Sequence, residues 1–137
     1  MIHLKLPTEV TLGKRVKRVY KIQFNLYHTW YKSTRNKIKQ KYSDDLQDTL
    51  SKFKPLECPV KFHYKLTVKD RHTRDLDGTV FLIHKYFADA VVKAGLIKTD
   101  NCFDLNNIEM GCVGVDRNLN EPYTVEVTIY DKSDAWK

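Results

Sequence analysis

Between Lys14 and Lys41 the chain has no acidic residue, while ten of those 28 positions are Lys or Arg. Other scarcities narrow the class of protein. Five glycines and four prolines in 137 residues leave no linker, internal repeat or low-complexity segment. Cys58, Cys102 and Cys112 are odd in number and form no C-x-x-C pair. They fit reduced, buried thiols better than a disulfide framework or a zinc site. No apolar run approaches the ~20 residues of a membrane helix. The opening Met1-Ile2-His3-Leu4-Lys5-Leu6-Pro7 has neither the apolar region nor the cleavage site of a signal peptide. A cytoplasmic protein with no membrane partner is expected. The length and a hydrophobic fraction of 42% suit one domain, 1–137, around one core.

The net charge of +7 conceals an asymmetry. Residues 1–74 hold 18 Lys and Arg against 6 Asp and Glu; residues 75–137 hold 6 against 11. Tyr20, Phe24, Tyr27, Trp30 and Tyr31 interleave the acid-free basic stretch. Cations for phosphate and rings for stacking suit a nucleic-acid surface. The alternative is a solvated basic face over a core built from the same aromatics.

Periodicity predicts an α+β fold, a mixed sheet of about five strands packed with two main helices. Residues 2–6 and 16–24 alternate loosely as strands, with Gly13 and Lys14-Arg15-Val16-Lys17-Arg18 in the turn between them. Residues 24–27 read as strand exit or loop. Residues 30–52 read as a helix whose apolar face is Ile38, Tyr42, Leu46, Leu50 and Phe53. Val60 to Val68 alternates with period two, burying Val60, Phe62, Tyr64, Leu66 and Val68. Residues 69–78 are a charged loop. Residues 79–94 form a second helix ended by Gly95. Its wide apolar arc is Val80, Phe81, Ile83, Phe87, Ala90, Val91 and Ala94; Lys85, Asp89 and Lys93 form a polar stripe. Residues 105–115 and 122–130 close the sheet.

The chemistry gathers around the second helix. In Arg74-Asp75-Leu76-Asp77-Gly78, Asp75 and Asp77 alternate across Leu76, and in an extended segment residues two apart share a side. With Asp100 beyond the helix they make an oxygen-only donor set of the kind Mg²⁺ prefers. Arg71 and Arg74 suit a phosphodiester. A magnesium-dependent nuclease is the reading these residues suggest. The plainer readings are that Asp77 caps the helix and that Lys85 pairs with Asp89 at i,i+4. His72 reads as a solvated loop residue and His84 as a packed one, while His28 and His63 carry no pattern.

These residues resemble the RusA-like family of Holliday junction resolvases, common in phages and prophages. The family's hallmark is R-D-x-D-N before a helix, a lysine and an aspartate within that helix, then A-G and a D-D or D-[DN] pair. The matching residues are Arg74-Asp75-Leu76-Asp77-Gly78, Lys85, Asp89, Ala94-Gly95 and Asp100-Asn101. Asn25-Leu26-Tyr27, Trp30-Tyr31, Arg35-Asn36-Lys37 and Gly114-Val115-Asp116-Arg117-Asn118 extend the similarity over most of the chain. Gly78 stands where the family has Asn, and Thr99 where it has the first Asp of the pair. Lys85 follows Asp77 by eight residues rather than four, as if one helical turn were added; four residues turn the facing by only ~40°.

The resemblance implies a homodimer that cuts four-way DNA junctions in recombination and repair, in a bacterial or phage-infected cell. It assigns Asp75, Asp77 and Asp100 to Mg²⁺, with Mn²⁺ a substitute, and Lys85 to catalysis. Lys14, Arg15, Lys17, Arg18, Arg35, Lys37, Arg71 and Arg74 are the expected DNA contacts. Gly78 and Thr99 favour the alternative, a DNA-binding protein of the same fold without catalysis.

Overall fold

The computed structural model describes residues 1–69, 76–99 and 105–134. The fold is α+β, as the periodicity predicts. In chain order the elements are β1 (Ile2–Leu6), β2 (Glu9–Leu12), β3 (Arg18–Lys21), α1 (Phe24–Tyr27), α2 (Lys32–Leu50), β4 (Val60–Val68), α3 (Leu76–Lys93), β5 (Leu105–Val115) and β6 (Tyr123–Tyr130). Two compact units share them: Met1–Leu6, Pro55–Arg74 and Ile97–Lys137 in one, Pro7–Lys54 and Asp75–Leu96 in the other. Neither is a continuous stretch, so no single cut in the chain separates them.

The first unit is a four-stranded mixed sheet, ordered β1-β6-β4-β5, with β4 parallel to β5 and the other pairs antiparallel. Its register follows from alternation. Ile2 lies opposite Ile129 and Ile129 opposite Phe62; Leu6 faces Val125 and Val125 faces Leu66. All six are buried, as are Val60, Tyr64, Val68 and Val127. A one-residue slip would turn these rows out and a polar face in. That polar face carries the row His3, Thr128, His63, Glu109. His3 Nδ1 lies 2.9 Å from Thr128 Oγ1. Glu109 receives Lys61 Nζ at 3.0 Å and His63 Nδ1 at 3.1 Å.

The second unit holds the β2–β3 hairpin and the helices. Strand 16–24 is shorter than expected, running from Arg18 to Lys21, and it pairs with an unforeseen β2. Residues 24–27 form a helical turn, the Tyr27 N–H donating to the Gln23 carbonyl at 3.0 Å. These elements have four residues each, too short for periodicity to mark. Ile38, Tyr42, Leu46 and Leu50 of α2 are buried as expected, and Phe53 beyond it is half-buried. Tyr42 donates to the Pro7 carbonyl at 2.8 Å, fixing the entry to β2.

Helix α3 begins at Leu76, three residues earlier than expected. It ends as expected at Gly95, whose φ of +78° suits a residue without Cβ. The Leu96 N–H bonds back to Val91 and the Gly95 N–H to Val92, a Schellman motif. Phe81 departs from the expected arc and is 55% exposed. It shares the four-residue stripe of Lys85, Asp89 and Lys93, which faces out while Val80, Ile83, Phe87 and Val91 face in. Two ion pairs join α2 and α3: Lys39 to Asp89 at 2.9 Å and Lys93 to Asp44 at 2.6 Å. Gln47 Nε2 also donates to the Ala90 carbonyl at 3.1 Å. Cys58 is half-buried and unbridged; Cys102 lies outside the described residues. Among the described residues no helix is long and apolar enough to cross a membrane.

Two predictions arise from these packings. The Tyr86 hydroxyl is buried, without a hydrogen-bond partner among the described residues, and burial pushes its pKa up to about 12. Tyr86→Phe removes an unsatisfied group and should gain about 1 kcal/mol in urea unfolding; a loss of that size would show that the hydroxyl is satisfied. Hydrogen bonds from Lys61 and then His63 hold the Glu109 carboxyl below its ordinary 4.5. Its contribution to stability is therefore complete above the unfolded value and lost as pH falls through the lower folded one. Glu109→Gln should lower Tm at about pH 7 and lower it less at about pH 2.5. An equal drop at both would refute the linkage.

Candidate nucleic-acid interface

The acid-free stretch folds into two facing walls. One is the hairpin, where Lys14, Arg15, Lys17 and Arg18 are all exposed. The other is the side of α2 bearing Thr34, Lys37 and Lys41, spaced three and four and so aligned on one helix face. Between them runs a groove of about 480 Å³, lined by Leu12, Val16, Arg18, Tyr20, Lys37 and Lys41 among others. The turn that shapes the hairpin end depends on Gly13. Its φ is +113°, and a Cβ there would stand 2.0 Å from the Val16 carbonyl oxygen.

Aromatic contacts hold the walls in place. Tyr20 of β3 meets Trp30 edge-on at 5.8 Å between centroids, and Trp30 meets Tyr27 at 6.1 Å. The Arg35 guanidinium lies 4.2 Å over the Tyr27 ring, and its Nε donates to the Tyr27 carbonyl at 3.1 Å. Arg35, an expected DNA contact, is thus also a brace between α1 and α2. Tyr31 differs from these rings. It is 83% exposed, and among the described residues it has no ring partner.

Electrostatics separates two kinds of cation here. Lys41 bonds Asp45 at 2.8 Å, which raises its pKa. Asp44, at the groove's acidic end, is matched by Lys93. Among the described residues Lys14, Arg15, Lys17, Arg18, Lys32 and Lys37 have no ion-pair partner. The structure therefore brings Arg18 and Lys37 together and adds Thr34, with Lys41 and Tyr20, which the sequence placed on a basic, aromatic surface without marking them as individual contacts. The four-residue step from Lys37 to Lys41 is the signal that could have found Lys41.

The chemical residues are placed less completely. Arg71, Arg74, Asp75 and Asp100 lie outside the described residues, as does His72. Asp77 is placed by its backbone, as the second residue of α3. There the helix dipole favours negative charge. Among the described residues no three His, Cys, Asp or Glu side chains form a metal site. An all-carboxylate donor set of Asp75, Asp77 and Asp100 matches the oxygen preference of Mg²⁺. Lys85 is exposed and does not pair with Asp89, whose carboxylate is taken by Lys39. Its Nζ instead lies 6.0 Å from the centre of the Phe81 ring, one turn toward the helix N-terminus.

Set against models of known protein families, the chain matches none, and none of the curated proteins matches it.

Gly13→Ala should cost about 1–3 kcal/mol, the size of backbone strain at a position other residues avoid. Urea unfolding measures it, and an unchanged midpoint would show that the turn relaxes freely.

Proposed function

We propose that the chain is a Mg²⁺-dependent endodeoxyribonuclease that resolves four-way DNA junctions as a homodimer, in the manner of the RusA-like family it resembles. The observation that supports this best is the course of Lys85. Helical side chains tilt toward the N-terminus, and Lys85 runs back over Phe81 toward the turn that holds Asp77. Eight residues span ~12 Å of helix axis, a distance that two side chains reaching toward one phosphate can bridge. With Asp89 committed to Lys39, the Lys85 charge is left for a substrate.

Asp75, Asp77 and Asp100 are the residues to hold the ion. Bound there, Mg²⁺ supplies a Lewis acid for the phosphate and a bound water of lowered pKa. Lys85 stabilises the negative charge that grows on the phosphoryl oxygens. Arg71 and Arg74 position phosphates near the cut, and the groove residues Arg18 and Lys37 hold further stretches of the backbone. A DNA-binding protein without catalysis is the second reading, favoured by Gly78 and Thr99.

Cleavage of a synthetic four-way junction with Mg²⁺ separates the two. Lys85→Ala should slow cleavage by about two to three decades and leave binding and Tm unchanged. Asp75→Asn, Asp77→Asn and Asp100→Asn should abolish cleavage while binding equally or more tightly, since each removes a charge that repels phosphate. Wild-type rates in all four variants would dispose of the catalytic assignment. Contact with six to ten phosphates should lower affinity by roughly three to five decades between 50 and 200 mM salt. A flat salt response would remove the nucleic-acid reading itself.

A further inference from the structure

We propose that the groove between the β2–β3 hairpin and α2 takes an unpaired nucleic-acid strand and stacks one of its bases on Tyr31. This rests on the nucleic-acid reading above and narrows it from charge to shape. Tyr31 is the residue before α2, whose first turn starts with Arg35 donating its N–H to the Tyr31 carbonyl at 2.9 Å. Thr34, three residues after Tyr31, lines the groove with Lys37 and Lys41, so Tyr31 lies about one turn before the line of residues that walls the groove. From Tyr31 to Lys41 that line is ~15 Å long.

Two observations favour an unpaired strand over a duplex, and a third sets its course. A duplex offers its phosphates to protruding cations, but its base faces are already stacked on one another. A ring that is 83% exposed can stack only on a base that is unstacked. The groove is concave, and its lining mixes Leu12, Val16 and the Tyr20 ring with Arg18 and Lys37. That alternation serves a chain carrying both apolar bases and charged phosphates. Finally, the line is polar end to end. No acid lies between Val10 and Ser43, and Asp44 and Asp45 close the far end. Both of those acids are paired, with Lys93 and Lys41, so the cations without an ion-pair partner among the described residues lie at Lys37 and the hairpin, and a polyanion's favourable course runs from Tyr31 past Lys37 to the basic hairpin end.

The test compares the full chain on an oligothymidylate of about 12 nucleotides and on a blunt duplex of equal length. Fluorescence anisotropy at about 100 mM salt reads the binding. Tyr31→Ala should weaken the single strand roughly 5- to 150-fold, the range for one lost base–aromatic stack, and change duplex binding less than twofold. Tyr31→Phe should restore the single-strand affinity. Lys37→Ala should weaken both ligands, because it removes charge rather than a stacking surface. Equal effects of Tyr31→Ala on both ligands, or no effect on either, would overturn the proposal while salt-dependent duplex binding kept the nucleic-acid reading. Failure of the wild-type chain to bind either ligand would remove both. Binding of an acidic peptide in preference to the oligonucleotide would assign the groove to a protein partner and also overturn it.

Discussion

Four buried side chains on α2 decide where the basic surface opens. Ile38, Tyr42, Leu46 and Leu50 repeat at four and are all 6% exposed or less. Burying that stripe stabilises the unit by roughly 1.5–3 kcal/mol per side chain, more than surface charge repulsion costs. The helix therefore has one permitted rotation about its axis. In that rotation Thr34, Lys37 and Lys41 face the hairpin. The Tyr42 hydroxyl on Pro7 and the Tyr20–Trp30 contact then set the hairpin against that side. Like charges crowd along the groove because packing, rather than their own pairing, places them there.

The ion pairs deepen the imbalance. Asp44, Asp45 and Asp89 each meet a lysine, Lys93, Lys41 and Lys39 respectively, all on α2 or α3. Exposed pairs of this kind are worth ~0–1 kcal/mol each, so they do little for stability. Their larger effect is distributive. They consume the nearby acids and leave the hairpin cations and Lys85 without ion-pair partners among the described residues. The unneutralised field then belongs to the hairpin and the first turns of α2. This is the arrangement that raises encounter rates with a polyanion.

Legibility from the sequence tracked the length of each periodic run. β4 and β5 fall at 60–68 and 105–115, the expected bounds. Both strands are longer than average, and β4 in particular alternates without interruption. β2, β3 and α1 were missed or misplaced because four residues offer no period, and their positions depend on contacts from α2. Phe81 was expected inside because an apolar side chain was counted without its stripe; Lys85 and Asp89, four and eight residues on, mark that stripe as outward. The basic surface was legible from the missing acids alone. Its concavity was not, since the facing of hairpin and helix is a tertiary fact. The acids expected to hold a metal fall mostly outside the described residues, so that part still rests on resemblance.

A nuclease of the proposed kind has a built-in electrostatic conflict. Carboxylates gathered for a cation repel the phosphodiester they must act on, and across 4 Å each such pair is worth about 1 kcal/mol even in bulk water. Affinity must therefore come from elsewhere on the chain. The sequence segregates the two needs: 18 basic residues precede Asp75 and 11 acids lie from it onward. Lys85 is one of six cations within that acidic portion, and Asp89, one turn on, is paired with Lys39 rather than with it. Had Lys39 been acidic or neutral, Asp89 would sit one turn from Lys85 with no competing partner. An i,i+4 pair, worth about 0.2–0.5 kcal/mol, would then compete with a substrate for that charge. On this view Lys39 supports the role of Lys85 without touching the substrate, through the one carboxylate that both could claim.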